Sequence, residues 1–195
     1  MGEDDSFYKM GLSTYCGKEC ATDWLIENPK KAKSTLDKIQ EKKRKEQKKK
    51  DKQKLKELRS RSDWFANWLQ PLVNQYVRDV LHAGELCYTC GNTNGDTKMN
   101  AGHYIPVGAG GGDRRRFNHD NIRRQCEFCN THKGGAPKEY RMKLIEENGE
   151  RWVLDLECES NHPTLKEQFP TWQDIEKEVL RYRILIREAG LKPYW

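Results

Sequence analysis

Residues 86–135 read LCYTCGNTNGDTKMNAGHYIPVGAGGGDRRRFNHDNIRRQCEFCNTHKGG, and this stretch decides the fold. It opens on Cys87-Tyr-Thr-Cys90 and closes on Cys126-Glu-Phe-Cys129, two C-x-x-C pairs with 35 residues between them. One such pair is weak evidence, because redox motifs share the spacing. Two pairs read as a tetrahedral zinc site made of four cysteines. Each tight turn supplies two thiolates, and Zn–S bonds of about 2.3 Å require all four to converge. The chain starts on an acidic Met1-Gly-Glu-Asp-Asp with no secretory signal, so a cytoplasmic protein without membrane attachment is expected, and disulfides are disfavoured there. The stretch holds few large apolar residues, so zinc is expected to supply cohesion that a core cannot.

Between the pairs sit Asn100-Ala-Gly-His103-Tyr-Ile-Pro106, a Gly-rich loop from Gly108 to Gly112, and Arg114-Arg115-Arg116. Asn118 and Asn121 follow, and the second pair runs directly into Asn130-Thr-His132-Lys133. Outside this stretch the periodicity turns helical. Phe65, Trp68, Leu69, Leu72, Val73, Tyr76, Val77 and Val80 predict an amphipathic helix with Ser62 as N-cap and a kink or split at Pro71. Pro137 can open a helix that Gly149 closes, with Tyr140, Leu144 and Ile145 on one face. Thr171 with Asp174 resembles a capping box ahead of Ile175, Val179, Tyr182 and Ile186.

Charge adds a second constraint. Only 35% of the 195 residues are apolar and 34% are charged, so part of the chain cannot be core. No apolar run is long enough to span a membrane. The net +6 is unevenly laid down: residues 30–62 carry sixteen basic and five acidic side chains, and residues 87–143 carry ten and five. Two positive blocks flanked by acidic segments point to a polyanion, and nucleic acid is the commonest one. The composition of 30–62 fits either a lone solvated helix or a disordered basic arm. Cys16 and Cys20 form a C-x-x-x-C that is half of a second zinc site or two free thiols, and Cys158 reads as a buried structural cysteine.

The order C-x-x-C, Gly-His-hydrophobe-x-Pro, Gly-rich loop, Asn-Ile and C-x-x-C-Asn-x-x-Lys resembles the HNH nucleases, whose ββα-metal fold grips one divalent ion. Ala101-Gly-His103-Tyr104, Arg116-Phe-Asn118, Asn121-Ile122, Gln125-Cys-x-x-Cys-Asn-x-His-Lys133, Glu159-Ser-Asn-His162 and Trp172 resemble the phage NinG (Rap) recombination family. The resemblance implies an α+β fold: a small zinc-stabilised ββα-metal module flanked by helices, behind a long basic helix or arm. It divides the chain into a remnant zinc-finger-like 1–29, the basic 30–62, the nuclease module 63–150 and a helical 151–195. NinG-type chains carry a further C-x-x-C ahead of the Cys16/Cys20 pair, and this sequence has none there.

What the resemblance implies for function is a metal-dependent endonuclease acting on branched DNA such as Holliday junctions and D-loops. The alternative is a zinc-stabilised protein that binds DNA without cutting. His103 matches the general base, Asn121 the residue that braces the hairpin, and Asn130 a ligand for catalytic Mg²⁺ or Mn²⁺. Cys87, Cys90, Cys126 and Cys129 match the zinc ligands. Many HNH nucleases carry an Asp just before the catalytic His, where this chain has Gly102. Either another oxygen ligand replaces it, with Asn100, Asp113 and Asp120 as candidates, or the ion is held loosely. Arg114, Arg115, Arg116, Arg123, Arg124 and Lys133 are expected on the DNA, and symmetric cleavage of a junction would call for a homodimer.

Overall fold

In the computed structural model, residues 8–10, 13–91, 98–109 and 112–194 are described, and the chain divides into two units, Met1–Leu58 and Arg59–Trp195. In the first unit, β1 (Tyr8–Met10) pairs antiparallel with β2 (Ser13–Tyr15), and α1 (Lys18–Glu27) follows. The Tyr15 and Trp24 rings lie 5.9 Å apart, and Ala21 is buried. Pro29 then opens α2 (Pro29–Leu58), a position where its missing N–H costs nothing. Of the two readings of the basic segment, the helix is the one formed. It is held by its own propensity and by local pairs such as Glu41 with Arg44 at 2.8 Å and Gln47 with Asp51 at 2.8 Å. Leu36, Leu55 and Leu58 stay exposed, too few to make a packing seam.

The second unit begins with α3, a helical run over residues 61–81. Its N-cap is Ser60, not Ser62: the Ser60 Oγ accepts from the Asp63 amide at 3.1 Å. Helical winding also continues through Pro71. Trp64–Leu69 and Val77–Leu81 adopt wide π-type turns, and the Gln70 amide reaches back five residues to the Phe65 carbonyl. Pro71 enters where wide turns give way to α-turns, so its absent N–H falls at a change of register and the helix is not split.

β3 (Met99–His103) and β4 (Ile122–Cys126) form an antiparallel pair, with His103 opposite Ile122 and Met99 opposite Cys126. One helical turn, Phe128–His132, follows directly. Then come α4 (Pro137–Asn148), α5 (Glu150–Glu157), the short α6 (Leu165–Gln168) and α7 (Trp172–Glu188). Both halves of the Thr171/Asp174 capping box are made, the Asp carboxylate serving where Glu is usual.

The main core joins α3 to α7: Trp64, Phe65, Leu69, Leu72, Val73 and Val77 meet Ile175, Val179, Tyr182 and Ile186, with Ile122 of β4 and Phe169 between them. α7 therefore shares its core with α3. A second cluster, Tyr88, Tyr140, Leu144, Val153 and Leu156, packs α4 and α5 beneath the other face of the hairpin. Among the described residues the fold is mixed and helix-dominated, with two small two-stranded sheets. Among the described residues no helix is long and apolar enough to cross a membrane.

Candidate metal centre and active site

The four cysteines converge as the spacing requires. Their Sγ atoms all lie within 4.8 Å of one another, and Cys90 and Cys126 are 3.9 Å apart. A tetrahedron with Zn–S bonds of about 2.3 Å has edges of about 3.8 Å, so the donor set fits a structural zinc ion. The turns are built for it. Gly91 takes φ 64° and returns its amide to the Cys87 carbonyl at 2.8 Å, and the Cys129 amide points at the Cys126 sulfur at 3.4 Å. Burial opposes the Cys87 thiolate, but donors from Cys126, Thr89 and Cys90 bring that thiol down to about 6. Burial lifts Cys129 to about 12, so a cation is what would make all four thiolates at once.

Gln125 ties this centre to the strand that carries His103. Fully buried, it donates from Nε2 to the Gly135 carbonyl at 2.8 Å and to Thr89 Oγ1 at 3.2 Å. Its Oε1 lies against Gly102, where a β-carbon would sit only 1.9 Å away. A side chain at 102 would need the Gln125 amide to move off its bonds to Gly135 and Thr89. The space that an Asp would need is already filled from the partner strand. Tyr140 Oη donates to the Gly102 carbonyl at 3.2 Å from the α4 side.

His103 closes β3. Its Nε2 lies 3.1 Å from the Arg116 carbonyl, which can only accept, so Nε2 carries the hydrogen and the neutral ring keeps its lone pair on Nδ1. Burial lowers the pKa of His103 below its usual value, the Arg116 guanidinium adds to this, and the carbonyls of Arg116 and Ala101 oppose it. The ring is thus neutral at pH 7. Asn121, fully buried, accepts from the Ile105 amide at 2.8 Å and donates to the Ile105 carbonyl at 3.0 Å. With the Tyr104 amide on the Asn121 carbonyl, it clamps the chain just past His103. Asn130 is half-buried on the turn after Cys129.

Among the described residues, the four cysteines are the one group of three or more His, Cys, Asp or Glu side chains placed to hold a metal. Of the candidates to replace the missing Asp, Asn100 lies on β3 beside Gln125, and Asp113 is exposed on the turn Gly112–Arg115. Asp120 lines a cleft of about 210 Å³ with Asp155, His162 and Trp152. Gly110 and Gly111 of the Gly-rich loop lie outside the described residues.

The arginines expected on DNA are largely engaged by the protein. Arg115 is a correction: it is buried, and its guanidinium donates to the Leu156 carbonyl and, at 2.7 Å, to the Glu157 carbonyl, satisfying the end of α5. Arg124 does the same for α3, through the carbonyls of Arg78 and His82. Arg114 pairs with Glu159 at 3.1 Å, and Arg123 bonds the His119 carbonyl at 2.8 Å. Arg116 stays half-buried next to His103, with its Nε on Gln70 Oε1 at 2.7 Å. Lys133 is exposed. Cys158 is also exposed, not buried; Ser160 Oγ lies 3.2 Å from its sulfur and lowers its pKa. Cys16 and Cys20 are exposed neighbours, and the Cys16 thiol raises the pKa of Cys20.

Residues 5–190 match the family model described as Bacteriophage Lambda NinG protein. The chain belongs to the NinG family. It is 38% identical over 153 residues to "Protein ninG" of Escherichia phage lambda, covering 76% of this chain and 71% of that one. To "Protein ninG" of Salmonella phage P22 it is 37% identical over 150 residues, covering 74% and 71%. No solved structure matches. Gln125, Tyr140 and the Arg116 carbonyl fix the NinG hairpin around His103, and the sequence assigns none of them that role: Gln125 reads only as part of a motif and Tyr140 only as one face of a helix. A carbonyl carries no sequence signal at all.

Proposed function

We propose that this NinG-family chain is a metal-dependent DNA endonuclease that cuts branched recombination intermediates. The observation that carries the reading is His103: a neutral imidazole whose Nε2–H is fixed on a main-chain carbonyl, on a strand clamped by Asn121 and braced from the cysteine centre. In this reading Nδ1 takes the proton from an attacking water as its oxygen bonds to phosphorus and one P–O bond to the leaving sugar oxygen breaks. Mg²⁺ or Mn²⁺, held with help from the Asn130 amide oxygen and the substrate phosphate, would neutralise the developing charge. Arg116, beside His103, would face the same phosphate.

A nicking assay on Holliday-junction, D-loop and linear duplex DNA, with Mg²⁺, Mn²⁺ or chelator, tests this. The chain should cut the branched forms with either ion and stop with chelator. His103→Ala should lower the rate by about 10²–10⁴ and leave junction affinity nearly intact, since a general base contributes mainly in the transition state. The lack of a second His/Cys/Asp/Glu metal group among the described residues favours the other reading, a zinc-stabilised DNA binder. Tight junction binding with no nick under any ion would establish that one.

A further inference from the structure

The side of the cysteine centre that faces water carries an aromatic ring. Phe128, between Cys126 and Cys129, is 57% exposed, although the flanking cysteines are each 1% exposed. Among the described residues the other exposed aromatic is Tyr194, whose hydroxyl is bonded by Arg78 at 3.0 Å. The turn that presents Phe128 is tightly held: the Lys133 amide returns to the Phe128 carbonyl at 3.0 Å, and the two cysteines anchor it from beneath. The His132 ring lies 5.8 Å from the Phe128 ring at 36°, and the Lys133 ammonium lies 5.6 Å from its centroid. The adjacent acid, Glu127, is paired with Lys98 at 3.2 Å.

We propose that Phe128, with His132 and Lys133, is a stacking platform for an unpaired DNA base. This rests on the DNA reading above and adds to it a preference for branch points. A flat ring set in water on a hydrogen-bonded turn, with a cation beside it and the adjacent acid already paired, suits a π-face carried on a phosphate chain. An aliphatic protein partner would gain nothing from the cation. The turn is also joined to the strand of His103: Gly135 bonds the Cys129 carbonyl at 2.9 Å, and a β-carbon on Gly135 would lie 3.9 Å from the His103 carbonyl. A base stacked on Phe128 would thus bring an opened strand to the hairpin, whereas an intact duplex offers no free face.

The test is binding of the full zinc-loaded chain to a four-way junction, a single-stranded flap and a linear duplex, at one salt concentration. Phe128→Ala should weaken flap and junction binding by about 5- to 100-fold and duplex binding by less than about twofold. Phe128→Leu keeps apolar bulk without a π-face and should fail like Ala, while Phe128→Trp should restore binding. A 2-aminopurine in the flap should be quenched by the wild type and not by Phe128→Ala. Zinc content and circular dichroism of each variant separate these losses from misfolding. Equal loss on every DNA shape would overturn the proposal, and so would a Leu variant as good as the wild type. A shift in sedimentation of the Ala variant, with binding intact, would assign the ring to contact between copies. A wild type that binds no DNA would refute the DNA reading itself, whereas cutting that persists with no Phe128 effect would refute only the platform.

Discussion

In α2, thirteen lysines and one arginine stand almost entirely in water; between Met99 and His132 the five Lys/Arg positions are all arginine, and four of those bond main-chain carbonyls. The two blocks look alike on a charge count. Physically they are opposites. A lysine ammonium is strongly hydrated and keeps its freedom on a solvated helix, whereas a guanidinium offers a rigid fork of donors that can reach two carbonyls at once. Helix C-termini leave carbonyls without partners, and the second unit uses arginines to fill them. Arg61 follows the same rule at the boundary, bonding the Leu165 and Phe169 carbonyls of α6 and its exit. Positive charge available to a polyanion therefore resides in α2 far more than in the arginine cluster, where Arg116 is the member closest to His103.

The contrast would break first at Arg115. If its charge serves the fold, Arg115→Ala should cost about 3 kcal/mol in urea unfolding, because two carbonyls at the end of α5 lose charged donors inside the protein. Arg115→Lys should recover little, since one ammonium cannot reproduce the fork. A loss below about 0.5 kcal/mol would return Arg115 to the DNA-contact class.

This difference was not legible beforehand, and the reason is distance along the chain. Cys87, Cys90, Cys126 and Cys129 could be read because each pair is local and the metal fixes how the two pairs meet. The same holds for the Thr171/Asp174 cap and the apolar face of α3. Arg115 finds its carbonyls some forty residues later, at Leu156 and Glu157, and nothing near residue 115 announces them. Gly102 likewise reads as a missing ligand in the sequence, and the side chain that occupies its space, Gln125, comes from the other strand. Ser60 and Ser62 are equally good caps on paper. The Asp63 amide meets the Ser60 Oγ, and that bond decides between them.

The histidines sharpen the contrast by a smaller effect. Burial lowers the pKa of both His103 and His119, with Arg116 adding to the first and Arg181 to the second. Both folded values lie below the unfolded value of about 6.5. At higher pH both states hold neutral rings, and stability does not depend on these groups. As pH falls through about 6.5, the unfolded chain takes up protons that the folded chain refuses, so stability declines. Thermal midpoints measured between pH 7.5 and 5 should fall, in a window above the carboxylates Glu157, Glu167 and Asp174, whose pKa values are lowered. His119→Gln should flatten part of that slope. Midpoints that hold steady down to pH 5 would show that the buried rings accept protons after all.

The smallest effect on stability should come from the largest block of charge. Apart from the half-buried Lys56 the α2 lysines are exposed, so removing residues 30–58 should leave the urea stability of the second unit within about 0.5 kcal/mol of the full chain. Its consequence should appear instead in DNA affinity. Phosphate contacts carry no sequence information, and each one lost should reduce the salt dependence by roughly 0.9 log units of affinity per tenfold change in salt. The deletion should weaken binding to every DNA shape alike, flatten that slope by several contacts, and leave zinc content unchanged. Cutting, if the nuclease reading holds, should return at low salt, because His103 and the cysteine centre lie wholly in the other unit. An unchanged slope would make α2 a spacer. The burden would then fall on Arg116, Lys133 and whichever fork of Arg114 or Arg123 can leave its present partner, and the contrast between the two blocks would lose its functional meaning.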